Sequence, residues 1–290
     1  NLALVIAGSL VAVVIALIVG ITIGGHGKVA IRASASKTQQ ASTSPTASPQ
    51  PKKTGTVPPP KNLPKTVACG GGVPASAKKP HAQYSNVPPV TAVPSKIYLA
   101  TIQTSCGSFT VKLDPAGTPI ATSNFIFLAK QGFYDGTWFH RIAPGFVIQG
   151  GDPEGTGSGG PGYMFTVETN PTIKFANSAG VMAYANSGAN SNGSQFFVTL
   201  TKQPNLDSGG PYTAFGKVIS GMSVVQRIGK VPTKVNPAPG LNGEKSLPLQ
   251  AVYVERVTIK TKPKPSPAPS ASASPSKSPK PKHSSGSSGS

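Results

Sequence analysis

Residues Trp138–Asp152 read WFHRIAPGFVIQGGD. The stretch holds the chain's only tryptophan, an aromatic-His-Arg run, a turn at Pro144-Gly145 and an apolar strand carrying one amide, Gln149. Arg141 and Gln149 stand among Trp138, Phe139, Ile142, Phe146, Val147 and Ile148, inside an apolar run rather than at its ends. A cation in that setting is costly unless a polar group is brought to it. The stretch therefore reads as one wall of a binding groove.

A second stretch, Val181–Thr199 (VMAYANSGANSNGSQFFVT), repeats the logic. Ala185-Asn186 ends one strand, a Gly/Asn/Ser turn follows, and Gln195 opens the next strand ahead of Phe196 and Phe197. Together the two stretches offer a guanidinium, amides and aromatic walls. They hold no paired carboxylate, nucleophile, metal set or phosphate cradle. Such a site suits holding a peptide and electrostatic work without covalent chemistry.

Around these stretches the pattern is mainly β. Ile97–Gln103 and Ser108–Leu113 alternate as strands about a turn at Ser105-Cys106-Gly107. Thr118-Pro119 supplies an N-cap and a first-turn proline. Ala121, Phe125 and Leu128 follow at helical spacing, and Gly132 stops the run. Further strands are expected at Phe146–Gln149, Gly180–Ala185, Gln195–Leu200, Ala214–Ile219 and Gln250–Ile259, with a second helix at Met222–Ile228. Many short strands, Gly-rich turns and two helices argue for a closed or nearly closed antiparallel barrel.

Charge separates this centre from its flanks. Residues 91–260 hold 13 basic and all 8 acidic residues, net +5, so the flanks supply the other 14 positive charges of the chain's +19. The high pI belongs to tails, which argues against specific nucleic-acid recognition, where basic residues sit on a groove-reading element. Leu2–Ile23 is an uncharged aliphatic run of 22 residues. At about 1.5 Å per residue it matches a bilayer core of roughly 30 Å. Two readings stand, a transmembrane anchor, favoured by the length, and a secretory signal peptide. Residues 24–90 are rich in Ser, Thr, Pro and Lys and read as a disordered linker; residues 261–290 read as a basic disordered tail. The tails have two readings, solvated chain or adhesion to anionic envelope polymers or lipid headgroups.

Cys69 and Cys106 have no neighbours at metal-ligand spacing. If the preceding segment places the domain outside the cytoplasm, the pair reads best as a disulfide. Gly155–Gly160 (GTGSGG) matches a dinucleotide spacing, but Pro161 and Gly162 follow where a helix must start, so it reads as a surface loop. The sequon at Asn192 sits in a Gly/Asn turn before an apolar strand and is discounted. His140 lacks a flanking nucleophile and reads as a hydrogen-bonded core residue.

The two stretches resemble the signature blocks of the cyclophilin family of peptidyl-prolyl cis–trans isomerases. F-H-R-x-x-x-G-F-x-x-Q-G-G-D is met by Phe139–Asp152, and A-N-x-G-x-N-x-N-G-S-Q-F-F by Ala185–Phe197. Agreement extends to Asn124-Phe125, Leu206-Asp207 and Phe215–Val218. The resemblance implies an eight-stranded antiparallel barrel closed by two α-helices over residues 91–260, preceded here by the anchor (1–23) and linker (24–90). It implies that Arg141 is catalytic and that Phe146, Val147, Phe197 and Leu206 form a proline pocket. Gln149, Ala185, Asn186 and Gln195 would hold the peptide backbone, with Tyr212 where many eukaryotic members have His. No cofactor or metal is implied. Asn205 stands where cyclosporin-sensitive members have Trp, so weak drug binding is expected, and Val147 replaces a common Met. The expected protein is a membrane-tethered, extracytoplasmic isomerase of Xaa-Pro bonds in client polypeptides, secreted if the N-terminal segment is cleaved. The alternatives are a non-catalytic Pro-peptide-binding module and an envelope-associated scaffold.

Overall fold

The computed structural model describes residues 49–208 and 212–265. The anchor at 2–23, the linker up to residue 48 and the tail from 266 lie outside the described residues. No helix among the described residues is long and apolar enough to cross a membrane. In chain order the elements begin with β1 (Lys53–Val57), β2 (His81–Tyr84), β3 (Lys96–Thr104), β4 (Gly107–Leu113) and α1 (Pro119–Lys130). Next come β5 (Arg141–Ala143), β6 (Val147–Gly150), β7 (Val181–Tyr184), β8 (Phe196–Thr199) and a one-turn α2 (Asn205–Ser208). Then follow β9 (Ala214–Ser220), α3 (Met222–Ile228), β10 (Thr233–Val235), β11 (Lys245–Pro248) and β12 (Val254–Pro263).

Eight strands form one antiparallel sheet in the order β12-β3-β4-β9-β7-β8-β6-β5. Its two outer strands are drawn together by the segments leading into them. Gly136 N–H donates to Val254 O (2.7 Å), Val254 N–H to Thr137 O (2.8 Å) and Phe139 N–H to Val252 O (2.9 Å). Those bonds occupy the backbone groups that an open edge would leave to other chains. The expected barrel, strands and two helices are present. Inside it, Phe125 of α1 packs on Tyr134, Phe196 and Phe215 at centroid distances of 4.9, 5.9 and 5.3 Å. The start of α1 differs in its chemistry. Thr118 holds the N-cap position without capping, its hydroxyl donating to Asp114 O (3.1 Å). The orphan N–H groups of Ile120 and Ala121 go instead to the Glu168 carboxylate at 3.0 and 2.7 Å, a charge the helix dipole also favours.

The linker reading is corrected for residues 49–90. β1 and β2 pair antiparallel, and the strand-like segment at Val67 bridges Ala251, with Ala68 N–H on Ala251 O (2.9 Å) and Ala251 N–H on Thr66 O (2.8 Å). Ala68, Ala77, His81 and Tyr84 are buried. Ala77 packs beside Trp138, Ala251 and Tyr253, and the Tyr84 ring meets Phe127 edge-on at 5.1 Å. A segment with too few apolar residues for its own core is ordered because the barrel surface supplies the missing half. Cys69 and Cys106 form a disulfide, tying this extension to the β3–β4 turn. The tail boundary also moves: β12 runs through Thr261–Pro263, pairing with Tyr98, Ile97 and Lys96.

Candidate active site

The site lies on the outer face of the sheet because strand side chains alternate. On β6, Ile148 enters the main core while Val147 and Gln149 face outward; on β8, Phe196 and Val198 go in and Phe197 goes out. The outward residues build a second apolar cluster of Val147, Phe197, Ala183 and Phe175, against which Phe146, Leu206, Tyr212 and Ala185 pack half-buried. Phe197 stacks on Phe175 at 6.0 Å and meets the Tyr212 ring edge-on at 5.4 Å. All four expected proline-pocket residues are thus brought together, with Tyr212 beside them. Phe175 was missed; it sits in irregular chain held by Asp207, whose carboxylate accepts from Phe175 N–H (3.0 Å) and Ala176 N–H (2.8 Å). No periodic pattern marks such a loop aromatic. Asn205 is exposed at the start of α2.

Arg141 on β5 pairs in register with Gln149 on β6, which in turn pairs with Phe197 on β8. Its guanidinium lies 5.5 Å from the centre of the Phe146 ring, so the cation stands at the head of the apolar pocket. From it runs a chain of polar groups. Arg141 Nη1–H donates to Gln149 Oε1 (3.1 Å), Gln149 Nε2–H to Gln195 Oε1 (3.1 Å), and Gln195 Nε2–H to Gly159 O (2.9 Å). The cation at one end sets the direction of both amides. Asn186 Nδ2–H donates to Asn192 Oδ1 (3.0 Å). A cavity of about 730 Å³ adjoins this side, lined by Gln149, Ala185, Asn186 and Gln195 together with the Gly-rich loop and Gln83 of the extension.

A carboxylate from outside the two stretches joins the site: Glu244, from the turn between β10 and β11, accepts from Arg141 Nε–H (2.9 Å) and Nη2–H (2.8 Å). Burial pushes its carboxyl up, but the hydrogen bonds and charge of Arg141, with a further downward pull from Ser246, hold it below the ordinary glutamate range. At 103 residues from Arg141, Glu244 carried no signal that sequence reading could use. His140 is buried, but neither ring nitrogen makes a hydrogen bond. Burial lowers its pKa; Asp152 pulls it up, Arg141 pushes it further down, and Gln195 adds only a weak upward pull from outside hydrogen-bond geometry. It is a packed residue rather than a hydrogen-bonded one.

The Gly-rich loop is explained as well. The buried Asp152 carboxylate accepts from the N–H groups of Glu154 (2.7 Å), Thr156 (3.0 Å), Gly157 (2.6 Å) and Gly159 (3.2 Å). A phosphate needs those same donors free. The loop is shaped by its own anion.

An outward apolar pocket headed by a buried-edge arginine, with a strand-borne line of amides beside it, is an arrangement suited to an extended peptide with one ring-sized side chain. A profile for "Cyclophilin type peptidyl-prolyl cis-trans isomerase/CLD" matches residues 99–258. The chain is 50% identical over 147 residues to peptidyl-prolyl cis-trans isomerase-like 1 of Aspergillus niger, covering 50% of this chain and 88% of that protein. It is 46% identical over 142 residues to an isomerase of Arabidopsis thaliana, covering 48% and 85%. The crystal structure of a cyclophilin type peptidyl-prolyl cis-trans isomerase from Cryptosporidium parvum superposes with a TM-score of 0.50 at 32% identity, covering 58% of this chain and 99% of that one. The chain belongs to the cyclophilin-type peptidyl-prolyl cis-trans isomerase family, and its enzymatic activity is that isomerisation.

Proposed function

We propose that Arg141 carries the catalysis, acting on Xaa-Pro bonds of polypeptides outside the cytoplasm without a covalent intermediate. The peptide bond resists rotation by about 18–20 kcal/mol because the nitrogen lone pair is shared with the carbonyl. As the bond twists, the lone pair localises on the prolyl nitrogen and accepts a hydrogen bond. A donor placed there stabilises the twisted state more than either planar isomer, which is what catalysis requires. The observation that carries this reading is the Arg141 guanidinium, its side chain 14% exposed, standing over Phe146 at the mouth of the proline-sized pocket. Phe146, Val147, Phe197 and Leu206, with Tyr212, seat the ring; Gln149, Ala185, Asn186 and Gln195 hold the backbone on either side.

Bringing a change of tens of seconds to milliseconds takes about four decades, or roughly 5–6 kcal/mol. One preorganised donor supplies about 3–4 kcal/mol of this; exclusion of water by Phe146 and Phe197 and anchoring by the amides supply the rest. Arg141→Ala is expected to lower kcat on an Ala-Pro peptide by about 10²–10³-fold while the chain still melts in one cooperative transition. Isomer exchange measured by NMR checks this, and wild-type rates in the variant would reject the role of Arg141. The extracytoplasmic setting is supported by the Cys69–Cys106 disulfide, of a kind that oxidising compartments sustain, and by the apolar run Leu2–Ile23. In this reading that run tethers the isomerase to the membrane, and the basic tail adheres to anionic envelope polymers. Asn205 in place of an indole leaves cyclosporin weakly bound.

A further inference from the structure

Glu244 holds Arg141 through two hydrogen bonds, at 2.9 and 2.8 Å. Arg141 projects from β5, an outer strand of three residues, on a long side chain with many rotamers to lose. Left alone, such a side chain spreads its donors over several orientations. Here three of the five N–H groups of its guanidinium are engaged, two by Glu244 and one by Gln149. We propose that Glu244 is a positioning residue for catalysis: its carboxylate grips one side of the Arg141 fork, so that the uncommitted N–H groups are held in place for the rotating amide. This rests on the reading of Arg141 as the catalytic donor.

The support for Glu244 is itself fixed. Its N–H donates to Leu241 O (2.8 Å), and its carbonyl accepts from Asn236 N–H (2.9 Å). The next residue, Lys245, is already in register with Val235 across the β10–β11 pair. The buried Asn236 braces the turn, donating from Nδ2 to Ser246 Oγ (3.3 Å) and accepting Ala238 N–H at Oδ1 (3.1 Å). A carboxylate on a turn tied at both ends sets geometry, whereas one on a loose loop would come and go with substrate. Bidentate pairing of carboxylate and guanidinium also adds directional constraint that a single bond lacks.

The carboxylate has an opposing effect, since it offsets part of the charge that Arg141 presents to the prolyl nitrogen. The two effects predict opposite signs when the carboxylate is neutralised, so one series of variants decides between them. The full chain and its Glu244→Gln, Glu244→Asp and Arg141→Ala variants are assayed by NMR exchange on one Ala-Pro peptide, with melting temperatures measured in parallel. The positioning role predicts that Glu244→Gln lowers kcat by about tenfold, within the roughly hundredfold that a misplacement of about 1 Å costs. KM should change by less than about twofold, because only the twisted state loses an interaction. Glu244→Asp, which keeps the charge on a shorter arm, should fall between wild type and Glu244→Gln. If Glu244→Gln does not fold, Glu244→Asp decides alone: a kcat below wild type with KM within about twofold supports the positioning role, and a wild-type kcat overturns it. An unchanged kcat, a rise in kcat or a loss confined to KM overturns the proposal, and the rise would make Glu244 an inhibitory counter-ion. A wild-type rate in Arg141→Ala would reject the catalytic donor itself, an outcome distinct from failure of the Glu244 proposal alone.

Discussion

The barrel and the extension in front of it are ordered by different means. Barrel strands carry their own apolar face: Ala100, Ile102, Phe109, Val111 and Ile148 are fully buried or nearly so. Alternating patterns of this kind point to their own partners. The extension, residues 49–90, has the composition of a linker, and β1 is exposed along almost its whole length. It is held at separate points: a disulfide, the backbone bonds around Ala68, the Ala77 contact with Trp138, and Tyr84 N–H on Pro161 O (2.8 Å). Composition reports whether a segment can build a core alone. It does not report whether a neighbouring surface will complete one.

If point attachment is what orders the extension, the attachments can be cut one by one without unfolding the barrel. The largest effect is expected from the disulfide, which closes 37 residues of sequence. In the chain-entropy treatment that closure stabilises by about 4 kcal/mol. The paired substitution Cys69→Ser/Cys106→Ser should expose residues 49–90 to limited proteolysis while the barrel keeps a cooperative melting transition. A variant whose barrel and extension unfold together at one lower temperature would break the distinction.

The same contrast explains what was legible. The barrel was readable because β strands and the α1 face obey periodicity, and Phe146, Val147 and Phe197 were readable because they lie on strands or beside one in two dense motifs, whereas Leu206, on the one-turn α2, was reached only through the family resemblance. Gln149 and Gln195 were also found, but their hydrogen bond to one another crosses from β6 to the start of β8 and depends on register. Glu244, Phe175 and Asp207 were illegible as site-builders for a common reason. Each acts through a turn or irregular segment whose position is set by distant backbone, Glu244 from the far end of the chain and Asp207 by receiving the N–H groups that fix Phe175. Glu168 belongs with them, since it caps α1 from 48 residues away in place of the expected Thr118. Periodicity finds what a segment buries; it is silent on which remote polar group will satisfy its ends.

A smaller effect is expected where the extension presses closest on the barrel. Gly136 has φ +90°, and a Cβ there would lie 2.4 Å from Ser76 C and 2.5 Å from Ala77 N. Gly136→Ala therefore meets both left-handed backbone strain, of order 1–3 kcal/mol, and a backbone clash with the extension. Relief comes most readily by lifting the Ser76–Ala77 turn away. Hydrogen exchange should speed at Ala77 N–H, which donates to Pro74 O (3.0 Å), more than at Val198 in the sheet. Equal acceleration at both would mean that the extension and barrel form one cooperative unit.

The smallest effect depends on pH and singles out His81 on β2. Its Nδ1 is 3.0 Å from Phe133 O, and since a carbonyl only accepts, Nδ1 carries the proton in the docked state. Nε2 is buried without a partner. Burial lowers the His81 pKa, while the Phe133 carbonyl and Asp152 pull it partly back. A lowered pKa means that the undocked histidine, titrating near 6.5, takes up a proton the docked one refuses. Docking is therefore strongest above about pH 6.5 and weakens as pH falls toward the docked pKa, by at most about 1.4 kcal/mol per pH unit. Protection of the Tyr84 amide, corrected for intrinsic exchange, should decline from pH 7.5 to pH 5.5, and His81→Gln, which keeps a donor and does not titrate, should flatten that decline. His140 also has a lowered pKa, but it lies in the barrel beside Phe139, whose amide bonds Val252 O (2.9 Å). Protonating it weakens the barrel core. Loss of protection at Phe139 with none at Tyr84 would assign the acid response to His140 and remove His81 from the account; loss first at Tyr84, abolished by His81→Gln, would show the extension releasing while the barrel holds.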